Sequence, residues 1–164
     1  MERINKRVLW IDTRQQDNKH TLKHQYFERM GYKLIRSKLY SGDYMLLGGT
    51  YSVDTKANIA EIATNIDQQH ERFRQELINA RDAEIKLTIL IENKNKIESL
   101  EDLANWTESD AEFAKRKHAI RRLSGLRLAK AMQTMSSKYG ASFMFCAPKY
   151  AGQKVLEILE GEFK

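Results

Sequence analysis

Apolar and polar residues alternate in two rhythms along this chain, and each change of rhythm marks an element. Val8-Leu9-Trp10-Ile11 is a continuous apolar run, the pattern of a buried strand, and it ends at Asp12. Leu22, Tyr26, Phe27 and Met30 then recur at helical spacing, with Gly31 as a stop signal. Tyr32 to Leu39 reads as a second strand and Ser41-Gly42 as a turn. Tyr44 to Leu47 and the alternating Tyr51 and Val53 are two strand-like runs joined by Gly48-Gly49. That is a hairpin signal, because both glycines tolerate positive φ. Ile59, Ile62, Ala63 and Ile66 mark one helix, and Phe73, Leu77 and Ala80 mark another. Leu87 to Ile91 is a continuous apolar strand, followed from Glu98 to Arg122 by a charged stretch of weak periodicity. Leu128, Met132, Met135 and Tyr139 define a helix closed by Gly140, and Ser124-Gly125 before it reads as its start. Phe143 to Cys146 is a last strand, Pro148 a breaker, and Val155, Ile158 and Leu159 a terminal helix. Strands alternating with helices imply an α/β sheet covered on both faces. With no repeat, low-complexity tract or Pro-rich linker, the 164 residues read as a single domain, 1–164.

Composition narrows this without changing it. Hydrophobic residues make up 41% and charged residues 30%, a globular balance. No apolar run approaches the 18 or so residues of a membrane span, and the polar start from Met1 to Arg7 lacks the core of a secretory signal. The expectation is a cytoplasmic protein, with the lone Cys146 a buried thiol in a reducing compartment. Net charge is +6, which favours a polyanionic partner without requiring one. Between Glu98 and Glu112 all charges are acidic, and from Lys115 to Lys130 all are basic. The basic run, with Arg121, Arg122 and Arg127, is read either as a phosphate-tracking stripe or as a solvated helix face.

The hairpin carries the chemistry. With Gly48-Gly49 as the loop, Leu47 faces Thr50, Leu46 faces Tyr51, Tyr44 faces Val53, and Asp43 falls opposite Asp54. Side chains repeat every second position along a strand, so Lys56 shares the face of Asp54. Directly opposed carboxylates have Cβ atoms ~4.5–5.5 Å apart and repel unless a cation lies between them. Beside a lysine they suit a hard divalent ion such as Mg²⁺. The competing reading is two solvent-facing aspartates on an edge hairpin.

Asp43, ten residues, then Asp54-Thr55-Lys56 follows the PD-(D/E)XK nuclease pattern, with Gly42 in place of its usual proline. The order Ile11-Asp12-Thr13-Arg14, Ser41-Gly42-Asp43-Tyr44, Val53-Asp54-Thr55-Lys56, Arg72-Phe73 and Leu90-Ile91-Glu92 resembles the nuclease domain of XPF-type structure-specific endonucleases. Small single-domain bacterial and phage forms are the most similar. The resemblance implies a restriction-endonuclease-like central mixed β-sheet flanked by helices on both faces. It implies a Mg²⁺-dependent DNA endonuclease, with Mn²⁺ able to substitute, acting at branched or other non-duplex DNA. Asp12, Asp43, Asp54 and Lys56 would be catalytic, with the metal on Asp43, Asp54 and the Thr55 carbonyl and Lys56 orienting the attacking water. Arg14 and Arg72 would grip phosphate, each with an ordinary ion-pair role as its alternative. A homodimer would form through the Leu128 to Tyr139 stripe or the Val155/Leu159 helix, with a place in the core as the stripe's alternative.

The chain departs from the family at Gln15, where relatives have Glu, at Asp54-Thr55 in place of Glu-Arg, and at Glu76, where relatives carry Gln. It also lacks their tandem helix-hairpin-helix module. A nuclease-fold subunit that binds DNA without cutting, and an α/β interaction protein with incidental acids, are the alternatives. His20 and His24, one helical turn apart, have no third zinc ligand in the sequence. His70 reads as a solvated histidine or an accessory base. Glu92 reads as a metal contact through water or as an ion-pair partner.

Overall fold

The structure, a computed structural model, describes residues 7–16 and 18–161; most of the polar start lies outside them. Its six strands are β1 (Val8–Asp12), β2 (Lys33–Ser37), β3 (Tyr44–Leu46), β4 (Tyr51–Lys56), β5 (Lys86–Glu92) and β6 (Ser142–Cys146). The helices are α1 (Thr21–Arg29), α2 (Ile59–Asp67), α3 (His70–Asp82), α4 (Leu100–Ala104), α5 (Asp110–Lys115), α6 (Gly125–Tyr139) and α7 (Ala151–Leu159), with a 3₁₀ turn at Pro148–Tyr150. One mixed sheet runs β2-β1-β3-β4-β5-β6. Only β3 is antiparallel to its neighbours; β1 pairs parallel with β2, and β4 with β5 and β5 with β6.

That order places the helices. The chain leaves β1 toward one edge and β4 toward the other, and right-handed crossovers leaving in opposite directions fall on opposite faces. Phe27 of α1 packs with α7 over Leu9, Ile11, Tyr44, Val53 and Leu90. On the other face α2, α3, α4 and α6 pack over Leu87, Ile89, Ile91 and Phe145. The α/β sheet covered on both faces is confirmed. The divergence point, at the C-terminal ends of β1 and β4, is where such sheets bind ligands.

The hairpin register is the expected one, Tyr44 opposite Val53 and Met45 opposite Ser52. Its turn differs: Gly49 N–H donates to the Leu46 carbonyl at 2.9 Å, and only Gly48 is left-handed, at φ +76°. Leu47 N–H donates to the Val8 carbonyl instead of facing Thr50. Tertiary pairing to β1 opens the loop to four residues while the strand alignment holds. The second strand is shorter than Tyr32 to Leu39, because β2 is an edge strand with a single neighbour.

Two apolar patterns turned out differently. In α1 Phe27 is buried, but Leu22 is 82% and Met30 57% exposed. In α6 Leu128, Met132 and Met135 are core residues, as are Val155 and Leu159 of α7. The surfaces invoked for a homodimer are therefore taken up within the monomer. The charged stretch forms two short helices capped by Ser99 and Ser109, whose hydroxyls accept from Asp102 N and Glu112 N. Ser124 caps α6 in the same way. Among the described residues no helix is long and apolar enough to cross a membrane.

Candidate active site

Asp43 precedes β3 and Asp54 lies in β4, and their carboxyl groups adjoin across the hairpin closely enough for the Asp54 charge to act on Asp43. Asp43 Oδ2 also accepts from Thr55 N (2.9 Å) and Thr55 Oγ1 (3.0 Å). Lys56 Nζ sits 2.9 Å from Asp54 Oδ2. Period two puts Asp54 and Lys56 on the α2/α3 side of β4, while Tyr44 and Val53 serve the opposite core. Gly42 lets the chain reach this point: its φ is +74°, and a Cβ there would meet Ser52 Oγ at 2.1 Å.

Burial and the adjoining Asp54 charge push the Asp43 carboxyl up to about 8, against the two Thr55 hydrogen bonds. Without a cation, the Asp43 carboxyl therefore favours its protonated form at neutral pH. Burial pulls the Lys56 ammonium down, but Asp54 more than offsets this and holds it above its ordinary value. Glu76 of α3 is raised by burial and by the same Asp54 charge.

The donor set fits a hard divalent ion. Two adjoining half-buried carboxylates favour a proton or a cation between them, and all their donors are oxygen. Among the described residues no group of three His, Cys, Asp or Glu side chains is arranged to hold a metal. Mg²⁺ needs no such cage, since it binds through one or two carboxylates and substrate phosphate and keeps several waters.

The carboxylates lie where two cavities meet. One, of about 330 Å³, is lined by Arg14, Tyr40, Arg72 and Glu76 and by the amides Asn65, Gln69 and Asn79. The other, of about 510 Å³, extends past Gln15, Lys19, His20, Lys23 and Glu61. Asp12, Arg14, Asp43, Asp54 and Lys56 border both.

Asp12 is at the site but fully engaged. Its Oδ1 accepts from Leu39 N (3.0 Å) and its Oδ2 from Arg14 Nε (2.7 Å), and Arg14 Nη2 donates to the Leu39 carbonyl (3.2 Å). Asp12 thus orients Arg14 and ties down the segment before Asp43. Arg72 is exposed at the cleft wall, 3.6 Å from Glu76 one helical turn on. Arg121, Arg122 and Arg127 of the basic run do not line either cavity. Arg127 is bidentate to Asp67 at 2.8 and 2.6 Å, Arg122 pairs with Asp110 and donates to the Glu108 carbonyl, and Arg121 is exposed.

Glu92 is the ion-pair partner of Lys23, at 2.7 Å with both side chains about 90% buried. Lys23 was missed in the sequence, although a lysine four residues before buried Phe27 shares its helix face. Lys23→Met is expected to lower unfolding stability by about 3–5 kcal/mol, since Glu92 would keep a buried uncompensated charge. Adding Glu92→Leu should recover most of the loss in urea denaturation; no recovery would mean that packing, not charge, sets the cost. His20 and His24 stack at 6.1 Å, and burial draws the His20 imidazole down to about 4. Both are core-side neighbours of Tyr44.

A mixed sheet wound in both directions, with carboxylates at its divergence point, defines a doubly wound α/β fold with an acidic cleft. No protein-family model and no curated protein matches the chain. Among solved structures the fold is that of XPF from Aeropyrum pernix, with a TM-score of 0.64 at 16% identity over 94% of this chain and 64% of that one. XPF from the same organism in complex with DNA matches with a TM-score of 0.60 at 16% identity, over 95% and 64%. The chain thus spans about 64% of the length of the structures it matches. The resemblance carried by the motif order is carried by the fold as well.

Proposed function

We propose that this chain is a Mg²⁺-dependent DNA endonuclease. The observation that carries the reading is the Asp43–Asp54 contact across the hairpin, with Lys56 on Asp54, on the floor of a cleft walled by Arg14 and Arg72. The likeness to an XPF structure in complex with DNA supports the polymer. Asp43, Asp54 and the Thr55 carbonyl would hold the ion. When bound, Mg²⁺ polarises a phosphate and lowers the pKa of water.

The protein's residues supply the rest. Thr55 fixes the Asp43 carboxylate through two hydrogen bonds, so the ligand is oriented before metal arrives. Lys56, held in place by Asp54, orients a water or neutralises charge developing on the phosphate. Arg14, aimed by Asp12, and the exposed Arg72 grip the flanking phosphates. The chain is expected to nick supercoiled plasmid or labelled branched DNA with Mg²⁺ and not with EDTA. Cutting that is indifferent to the chelator would overturn the metal-dependent reading.

Salt dependence separates the arginines. Arg72→Gln should lower the slope of log affinity against log salt by ~0.7–0.9, the contribution of one phosphate contact. Neutralising Arg122 and Arg127 should change it by less, because Asp110 and Asp67 already neutralise them. An equal slope change per arginine from that pair would instead make the basic run a phosphate track.

A further inference from the structure

Tyr40 is 65% exposed, yet the residues on either side of it are buried and tied down. Leu39 is clamped from both sides, its N–H by Asp12 and its carbonyl by Arg14. The Ser41 carbonyl accepts from Ser52 Oγ at 2.6 Å. No hydrogen bond, ion pair or ring contact to another described residue holds the phenol itself. The backbone is thus ordered around an aromatic ring that has nothing to stack on. That ring lines the cavity that ends at Asp43 and Asp54.

Other residues lining the cavity match it in chemistry. Asn65, Gln69 and Asn79 of α2 and α3 contribute uncharged amides, unlike the charged floor. Asn65 Nδ2 donates to Gln69 Oε1 at 2.9 Å, and Asn65 Oδ1 is buried with no donor. An exposed flat ring in a cavity also lined by amides suits a planar group with a polar, hydrogen-bonding edge. Phosphate has no such flat face.

We infer that this cavity is a nucleobase subsite, in which an unpaired base beside the scissile phosphate stacks on Tyr40 with its polar edge among the lining amides. The inference rests on the nuclease reading and adds to it a selection at one nucleotide. A base inside a continuous duplex has both faces stacked and its pairing edge occupied, so it cannot enter without being extruded. Stacking on an aromatic side chain is sequence-tolerant, so the subsite selects for an unpaired base more than for its identity.

The test is binding by full-length Asp43→Asn protein, which holds DNA without cutting it. The probes are a 12-nucleotide single strand, the blunt duplex of the same sequence, and a 12-nucleotide strand that is abasic throughout. Adding Tyr40→Ala should weaken single-strand binding about 10- to 100-fold relative to the duplex, and Tyr40→Phe should restore it. On the abasic strand Tyr40→Ala should have no effect. Equal effects on single strand and duplex, an undiminished effect on the abasic strand, or no effect at all would each overturn the subsite. The nuclease reading fails separately, if wild-type protein with Mg²⁺ cuts neither the base-bearing probes nor supercoiled plasmid and branched DNA.

Discussion

Asp43→Asn is expected to lower Mg²⁺-dependent cleavage on the order of 10³-fold, as several kcal/mol of transition-state stabilisation by the ion is lost at tenfold per 1.36 kcal/mol. The variant should nevertheless fold. The asparagine carbonyl can accept the same two bonds from Thr55, and the contact with Asp54 ceases to be one between like charges. Its stability should also lose a pH dependence. The folded Asp43 carboxyl titrates at about 8, above the ordinary 3.8, because burial and then Asp54 disfavour its charge. A group raised in this way contributes stability that is complete below the ordinary value and is lost as pH rises through the folded one. Metal-free wild type should therefore melt at progressively lower temperature between about pH 4 and pH 8, and Asp43→Asn should show little of that decline. Calorimetry in EDTA across this range measures it. A variant that cuts at the wild-type rate would remove the central claim, and one that keeps the full decline would move the titration to another group.

Lys56→Ala separates chemistry from metal binding. Cleavage should fall by about 10²–10³-fold, the usual loss when one preorganised donor to developing charge is removed. The ammonium is no metal ligand, so the Mg²⁺-induced rise in melting temperature should persist. Saturation at a hundredfold over the dissociation constant adds about 2.7 kcal/mol, or on the order of 5–10 °C for a chain of this size. The rise should be at least as large as in wild type, because Asp54 loses its 2.9 Å partner and the metal-free state suffers for it. Asp43→Asn should show little rise. If Lys56→Ala abolishes the thermal shift as well as cleavage, lysine is part of the metal site and the division of roles is wrong.

The hairpin that carries Asp43 and Asp54 was legible because its geometry is local. Period-two alternation from Tyr44 to Lys56 and a short glycine turn align Asp43 with Asp54, and the structure keeps that register although the turn opens to four residues. The Asp12 role was less legible. A carboxylate at the end of β1 reads as a metal neighbour, whereas its oxygens hold Arg14 and Leu39, which lie two and 27 residues away. Glu76 drew notice only as a departure from the family, since nothing local shows that α3 turns it toward Asp54. The Tyr40 exposure was silent for the same reason.

By itself the sequence determined the element order, the α/β class and the set of residues on one face of the hairpin. Each follows from a period of two or 3.6 residues and from turn chemistry within a few positions. Only the tertiary structure decided which apolar stripes are core and which charges are neutralised. Leu22 and Leu128 sit in comparable helical patterns, yet one faces solvent and the other is fully buried. Lys23 and Glu92, 69 positions apart, meet at 2.7 Å, and Arg127 finds Asp67. Burial and pairing depend on what arrives from distant parts of the chain, and a helix or strand period states only which side chains point together.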